Sequence, residues 1–425
     1  MRGGLTIVAG VLTGNVLGIG RVALIAHLLG RDSLADSLAV AMGPLDTLNS
    51  VLINSIIFAF VPMLTAVQGA ERAALFHKLT RCFLWAFSLI SAAVILTAPW
   101  LMRVLAPGLD PQHFGTAVNI LRILALSTVA GGVAAVHCAL LYTDRRFGPA
   151  AFYQAALNVF TIAGALCLWK FVGVYAFAIG YTAGAMAQLA IVYFAARVGL
   201  DTSPTPACTL RWSEILLKPA FFVVYAAGIG INITFTRAYA THAGPGMAAA
   251  LDYCMRGVGV PLALLVNPIS NSLLPEIARL RSVLRLRDAL RLIDKTVGLT
   301  AAVAVAGCVF ALLFRQPAIA LLFQHGRFTA ADTQLVSAVF LALGPSLVGW
   351  SLMEILARSL FAMDRQWPPV IAGLLPVILN IAITLRVGPF HPELLGLGSS
   401  VGLMAGFALL FVMTHTSRKR WMQQG

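Results

Sequence analysis

Apolar positions along this chain gather into twelve long runs, and polar positions fall mostly into the short stretches between them. The runs are about Leu5 to Leu29, Leu38 to Leu64, Cys82 to Leu105, Ala117 to Tyr142, Ala150 to Trp169, Val172 to Ala196, Pro219 to Tyr239, Met247 to Leu274, Val297 to Phe314, Leu335 to Phe361, Pro368 to Leu385 and Leu394 to Thr414. Each supplies roughly 18 to 28 residues at about 1.5 Å rise, enough to cross about 30 Å of hydrocarbon with some tilt. Lipid leaves no water to satisfy backbone groups, so the pattern predicts an all-α polytopic membrane protein with twelve transmembrane helices. The first run carries Arg21, is too long for a secretory h-region and lacks a small-residue cleavage site, so it reads as a retained helix.

The pattern also repeats. FAFVPMLTAVQGAERA, with Pro62 and a basic loop, returns as NSLLPEIARLRSVLR, with Pro275 and another basic loop; YTDRRFGPAAFYQAALN is echoed by FAMDRQWPPVIAGLLPVILN. Each half holds six helices, an even number, so both enter the membrane in the same sense. The expected organisation is an N-terminal six-helix bundle over residues 1–200, a linker over 201–218 marked by DTSPTPACTLRW, and a C-terminal six-helix bundle over 219–425. A pseudo-two-fold axis is expected to relate the bundles.

Composition supports the class: 59% of the 425 residues are apolar, 11% are charged and the mean hydropathy is +0.87. A net charge of +14 would suit a nucleic-acid binder, but the basic residues follow the membrane instead. Nineteen of the 30 Lys and Arg fall in the N-terminus and alternate loops, among them Arg72, Lys78, Arg81, Arg145, Arg146 and the group from Arg279 to Lys295, against six in the opposite loops. With an even helix count, that asymmetry places both termini in the cytoplasm. The six cysteines form no C-x-x-C pair and read as small packing residues. His113 and His325 read as surface histidines.

The candidate chemistry lies in the few charges left inside the runs. Arg21 sits about 12 Å from the outer end of the first helix and Arg256 about 13 Å from the outer end of the eighth. Facing each other from the two halves, both guanidiniums would point into one central cavity, and their planar forks match phosphate oxygens. Asp252 lies one turn before Arg256 and offers it an ion pair. Asp36 and Asp46 offer Arg21 comparable partners, and Asn49 and Asn54 extend the polar stripe of the second helix. Glu354 and Arg358 read as a salt-bridged pair, Arg122 and Arg237 as residues that snorkel near the outer ends. Asn158, Asn232 and Asn380 read as interhelical hydrogen-bonding residues.

Several stretches resemble the MurJ/MviN family of lipid II flippases, within the multidrug/oligosaccharidyl-lipid/polysaccharide exporter superfamily. They are GRVALIAHLLGRDSLADSLAVA, FAFVPML, LDYCMRGVGVPLALLVNPISNSLLPEIARL, LLFQHGRFTAADT and LARSLFAMDRQWPPV. The resemblance implies a transporter rather than an enzyme, moving an undecaprenyl-pyrophosphate-linked peptidoglycan precursor across the bacterial inner membrane by alternating access. Arg21, Asp36 and Arg256 match family positions around a cationic cavity. The substrate-binding candidates are therefore Arg21, Arg256, Asp36, Asp46, Asn49 and Asp252. The partners implied are the polyprenyl-linked glycan, membrane lipids and cell-wall synthesis enzymes. The chain departs from the family at Asn15, Val22, Leu48, Asn49 and Ile53, and Thr236 and Thr384 stand where cation-site carboxylates are expected. Two further helices common in the family do not follow the twelfth run.

No cofactor or metal is expected, and the chain has no G-x-x-x-x-G-K-[ST] loop for a nucleotide. The alternatives are a flippase for O-antigen or exopolysaccharide units, which would use a similar basic cavity, and a cation-coupled drug exporter, for which Asp46 is the one suitable carboxylate. A membrane glycosyltransferase would need acid, base or metal-binding residues gathered on an external loop, and these loops are too short and too poor in them.

Overall fold

The computed structural model describes residues 2–197, 212–262, 273, 276, 277, 280, 285–363 and 365–423. The regular elements among them are helices: α1 (Arg2–Leu29), α2 (Ser33–Ala66), α3 (Gly69–Leu105), α4 (Pro111–Thr143), α5 (Phe147–Val172), α6 (Tyr175–Arg197), α7 (Trp212–Ala240), α8 (Met247–Pro261), α9 (Leu286–Leu313), α10 (Arg315–Phe323), α11 (Ala330–Leu343), α12 (Ser346–Ala362), α13 (Trp367–Val387) and α14 (Leu397–Gln423). Where it is described, every predicted run is helical over most of its length, with turns at 173–174, 314, 344–345 and 395–396. Nine helices among the described residues are long and apolar enough to cross a membrane, and ten if α11 and α12 form one bent span. The eighth run continues past residue 262, outside the described residues, as do the NSLLPEIARLRSVLR echo around Pro275, Asp364, Cys208 and the linker up to residue 211. From Trp212 the expected linker is already α7.

Three departures from the sequence reading have plain causes. The tenth run is two helices that meet at 41°, because Pro345 has no N–H to continue the ladder. The basic stretch with Arg72, Lys78 and Arg81 is not a loop but the first three turns of α3, a helix of 37 residues. Its Leu75, Phe76 and Leu79 are buried against Phe60 and Leu64 of α2 and Val136, Ala139 and Leu140 of α4. That apolar face holds a helix whose other face is basic and wet. The segment before the loop at His325, which lies between two predicted runs, folds as α10.

The chain divides into two compact units, residues 1–25 with 33–223, and residues 26–32 with 224–425. In the first unit α4 is buried along most of its length. Its Ala125, Ala130, Gly131, Ala134, Ala135 and Ala139 let α2, α3 and α6 approach closely. In the second unit α12 takes that place, packed by α9 and α14, while α13 lies along α14.

The two units repeat the same joints. Asn158 on α5 donates from Nδ2 to the Gly14 carbonyl of α1 at 2.9 Å, and Asn380 on α13 donates to the Asn232 carbonyl of α7 at 3.0 Å. A Cβ on Gly10 would stand 2.5 Å from the Ala151 carbonyl oxygen, and one on Gly228 would stand 2.9 Å from that of Gly373. The first helix of each half is thus pressed backbone to backbone on the fifth.

The short segment that the second unit takes from the α1–α2 turn is clasped on several sides. Arg31 donates through Nε to Asp332 at 2.9 Å and through Nη1 to the Pro245 carbonyl at 2.8 Å; the Tyr253 hydroxyl donates to the Gly30 carbonyl at 2.6 Å. The Arg327 N–H donates to the His27 carbonyl at 3.0 Å, and its guanidinium is 3.2 Å from Asp32. Asp332 spends its other oxygen on the capping box of α11 with Thr329. Gly30 has φ +64°, and a Cβ there would meet the Arg327 carbonyl oxygen at 2.7 Å. Gly69 has nearly the same φ, +58°, with nothing within 4 Å. Gly69→Ala should therefore cost only the left-handed backbone penalty of about 1–2 kcal/mol. Gly30→Ala must also push Arg327 aside and should melt at a clearly lower temperature, as read by thermal unfolding in detergent.

Candidate functional site

A cluster of charged and polar side chains forms inside the membrane span of the first unit. Arg21 leaves α1 two turns before its C-terminal end, 3% exposed, with Nη2 3.2 Å from Oδ2 of Asp46 on α2. Tyr181 of α6 donates its hydroxyl to the other oxygen of Asp46, and the Arg21 guanidinium lies 5.6 Å from the centre of its ring. Asn49, one turn after Asp46 and 8% exposed, stands beside the same hydroxyl.

An ionised guanidinium in hydrocarbon is costly unless it has a counter-charge and acceptors. Asp46 supplies the charge, but Nε and Nη1 of Arg21 are buried with no hydrogen-bond partner among the described residues. An Arg stays ionised at any relevant pH, so these N–H groups can only donate. The arrangement is a cation half-used by its carboxylate. Chemically it can take an oxyanion with several acceptor oxygens.

The second unit holds a matching pair that the sequence reading missed. Arg237 of α7 does not snorkel: it is 5% exposed, with Nη2 2.7 Å from Oδ1 of Asp252 on α8. Its Nε and Nη1 are again buried with no hydrogen-bond partner among the described residues. By spacing, Asp252 offers an ion pair to Arg256, one turn further along α8; in the structure Asp252 pairs with Arg237 of α7, and Arg256 is half-buried. The signal was in the repeat: Arg237 follows Arg21, and Asp252 follows Asp36, by the same 216 residues. Arg256 was matched to Arg21 by depth alone, and the same spacing sets it against Val40. Asp36 itself is buried in the first turn of α2. Of the six candidates, then, the structure brings Arg21, Asp46 and Asn49 together in the first unit. Asp252 and Arg256 share one helix of the second.

Glu354 and Arg358 form the expected ion pair at 2.6 Å, joined by the buried Tyr225 hydroxyl 3.4 Å from the carboxylate. Asn158 and Asn380 make the expected interhelical bonds. Asn232 contributes its carbonyl, while its side-chain amide is buried without a hydrogen-bond partner among the described residues. Thr236 and Thr384, at the positions of the family's cation-site carboxylates, lie in a neutral network. Asn380 donates to Thr236 Oγ1 at 2.7 Å, Thr384 donates to Asn380 at 3.0 Å, and Thr236 meets Ser399 at 3.2 Å. These donors carry no negative charge and their hydrogen bonds are spent on one another. They do not fit a site built on carboxylates.

The fold is that of a multi-pass membrane transporter. Over 99% of this chain and 99% of the other, it superposes with a TM-score of 0.79 on an inward-facing multidrug resistance MATE family transporter of the MOP superfamily, at 13% identity. It superposes with a TM-score of 0.80 on the lipid II flippase MurJ in an inward closed conformation, at 19% identity, over 97% of this chain and 87% of that one. The sequence profile of the family described as lipid II flippase MurJ matches residues 25–424, and the chain belongs to that family. Relatives include the lipid II flippase MurJ of Burkholderia cenocepacia, 28% identical over 90% of this chain and 80% of its own. The probable lipid II flippase MurJ of Rhizobium meliloti is 25% identical over 98% and 80%.

If the Arg21 and Asp46 charges sustain each other, they must be coupled energetically. A double-mutant cycle of Arg21→Met and Asp46→Asn, read by unfolding in detergent, should give an interaction of about 1–3 kcal/mol. Additive effects would show the pair to be incidental.

Proposed function

We propose that this protein carries lipid II, an undecaprenyl-pyrophosphate-linked peptidoglycan precursor, from the inner to the outer leaflet of the bacterial cytoplasmic membrane by alternating access. The observation that carries the reading is the buried, half-committed guanidinium of Arg21 in a member of this family. The barrier to flipping is desolvation of an anionic, sugar-bearing headgroup in hydrocarbon. A buried Arg lowers that barrier by replacing water around the phosphates with fixed, charged donors. Asp46 and Tyr181 hold the guanidinium neutralised when no phosphate is present, so the resting protein does not bury a bare charge. With both termini in the cytoplasm, an inside-negative potential favours outward movement of the anionic headgroup by about 2.3 kcal/mol per charge per 100 mV. Cell-wall synthesis enzymes that consume the flipped precursor are the partners this reading implies.

A second reading keeps the chemistry and changes the glycan. Asn49 stands where the family carries a charged residue, and in this structure it takes part in the Arg21 cluster. A less charged cluster suits another polyprenyl-linked oligosaccharide.

Expression in cells depleted of their own lipid II flippase separates the two. The first reading expects lipid II at the outer leaflet and restored growth; failure of both with the protein correctly inserted would reject it. In that assay Arg21→Ala and Arg256→Ala should each abolish rescue at unchanged protein level, and full rescue by both would remove the arginines from the mechanism.

A further inference from the structure

We infer that Arg237 is a second anion-binding arginine, held by Asp252 as a stand-in for a phosphate group. Three observations converge on it. Its place in the repeat is that of Arg21, on the first helix of its half, and Asp252 occupies the place of Asp36. It is as buried as Arg21, with a side chain 6% exposed, and it uses a single nitrogen, Nη2, on its carboxylate. The other two, Nε and Nη1, are buried without a hydrogen-bond partner among the described residues.

A guanidinium placed only to staple α7 to α8 would be expected to face its carboxylate with two nitrogens at once, the geometry in which this pair is strongest. The Glu354 and Arg358 pair does so, with both Nε and Nη2 at 2.6 Å from one carboxylate oxygen. Arg237 instead commits Nη2 alone and leaves Nε and Nη1 without an acceptor among the described residues, so the full Nε/Nη2 edge opens to an anion once Asp252 turns away. Burial of unpaired donors is unfavourable, so such an edge is retained where an acceptor arrives in another state. The acceptor class follows from the donor: a tetrahedral oxyanion bearing at least two accessible oxygens, such as the phosphates of a pyrophosphate. Asp252 is the more exposed partner, 22% against 6%, so it is the group able to turn away. The inference takes only the class of anion from the reading above; it does not depend on which lipid carries it.

The test is binding by the purified full chain in detergent, with undecaprenyl pyrophosphate and with inorganic pyrophosphate as separate probes. Arg237→Gln should weaken binding at least tenfold. Arg237→Lys should recover part of that loss, because charge returns without the fork. Asp252→Asn is decisive, since removing the competitor should tighten binding severalfold even though it breaks an ion pair. A merely structural pair predicts the opposite or no change, and either result overturns the proposal. Should Arg237→Gln fail to fold, Asp252→Asn still decides. Dependence on Arg237 with both probes assigns the phosphates themselves; dependence with the polyprenyl form alone assigns the headgroup at its lipid anchor. If binding follows this pattern while lipid II is not flipped in cells, the proposed function falls and the role of Arg237 stands.

Discussion

A guanidinium in hydrocarbon cannot stand alone, and the placement of its counter-charge governs much else in this protein. Moving an ionised group out of water costs several kcal/mol after relaxation, more than most single packing contacts return. Among the described residues Arg21 pairs with Asp46, Arg237 with Asp252 and the half-buried Arg358 with Glu354, each inside its own unit. Each of these three charges is therefore matched by a neighbour that belongs to the same compact unit.

Around those pairs the scaffold is held by interactions that are neutral and duplicated. The Asn158 bond to Gly14 and the Asn380 bond to Asn232 join the first and fifth helices of each half, and glycine lets the backbones close on each other beside both bonds. In lipid no hydrophobic force draws helices together, so close packing and amide bonds have to serve. The halves then diverge where chemistry is concerned. Among the described residues, the second unit adds Thr236, Thr384 and Ser399 to the asparagine, which makes a network of hydroxyls without charge.

The helices were legible because the membrane forces long apolar runs, and for α4, α5 and α6 the run boundaries fall within about two turns of the helix ends. They fail for α3, whose helix begins well before its run. The first turns of α3 look like a basic loop in sequence, since only Leu75, Phe76 and Leu79 face protein and their partners lie on α2 and α4. The break before Pro345 was invisible because apolar residues continue across it. Among the site residues, depth and helical spacing offer Arg21 both Asp36 and Asp46, with Asn49 on the same stripe, and the structure pairs it with Asp46. An i, i+4 neighbour on the same helix makes Arg256 the partner that sequence offers Asp252, whereas the contact with Arg237 joins two helices and has no local spacing to announce it. Tyr181 carries no charge, so nothing in its local sequence sets it apart from other helical tyrosines.

The carboxylates deserve as much weight in the mechanism as the arginines. An arginine bare in the resting state would bind any passing anion and would resist giving it up on the far side. A carboxylate already in contact raises the threshold: only a ligand with more charge or more acceptor oxygens than one carboxylate can displace it, and a pyrophosphate has both. In the proposed cycle the same carboxylate would then assist release, returning to the guanidinium as the phosphate leaves so that no unpaired charge is left behind in hydrocarbon. Such an exchange would weaken binding but keep the charges matched in every state, and for a cycle that must both load and unload, that matching matters more than affinity.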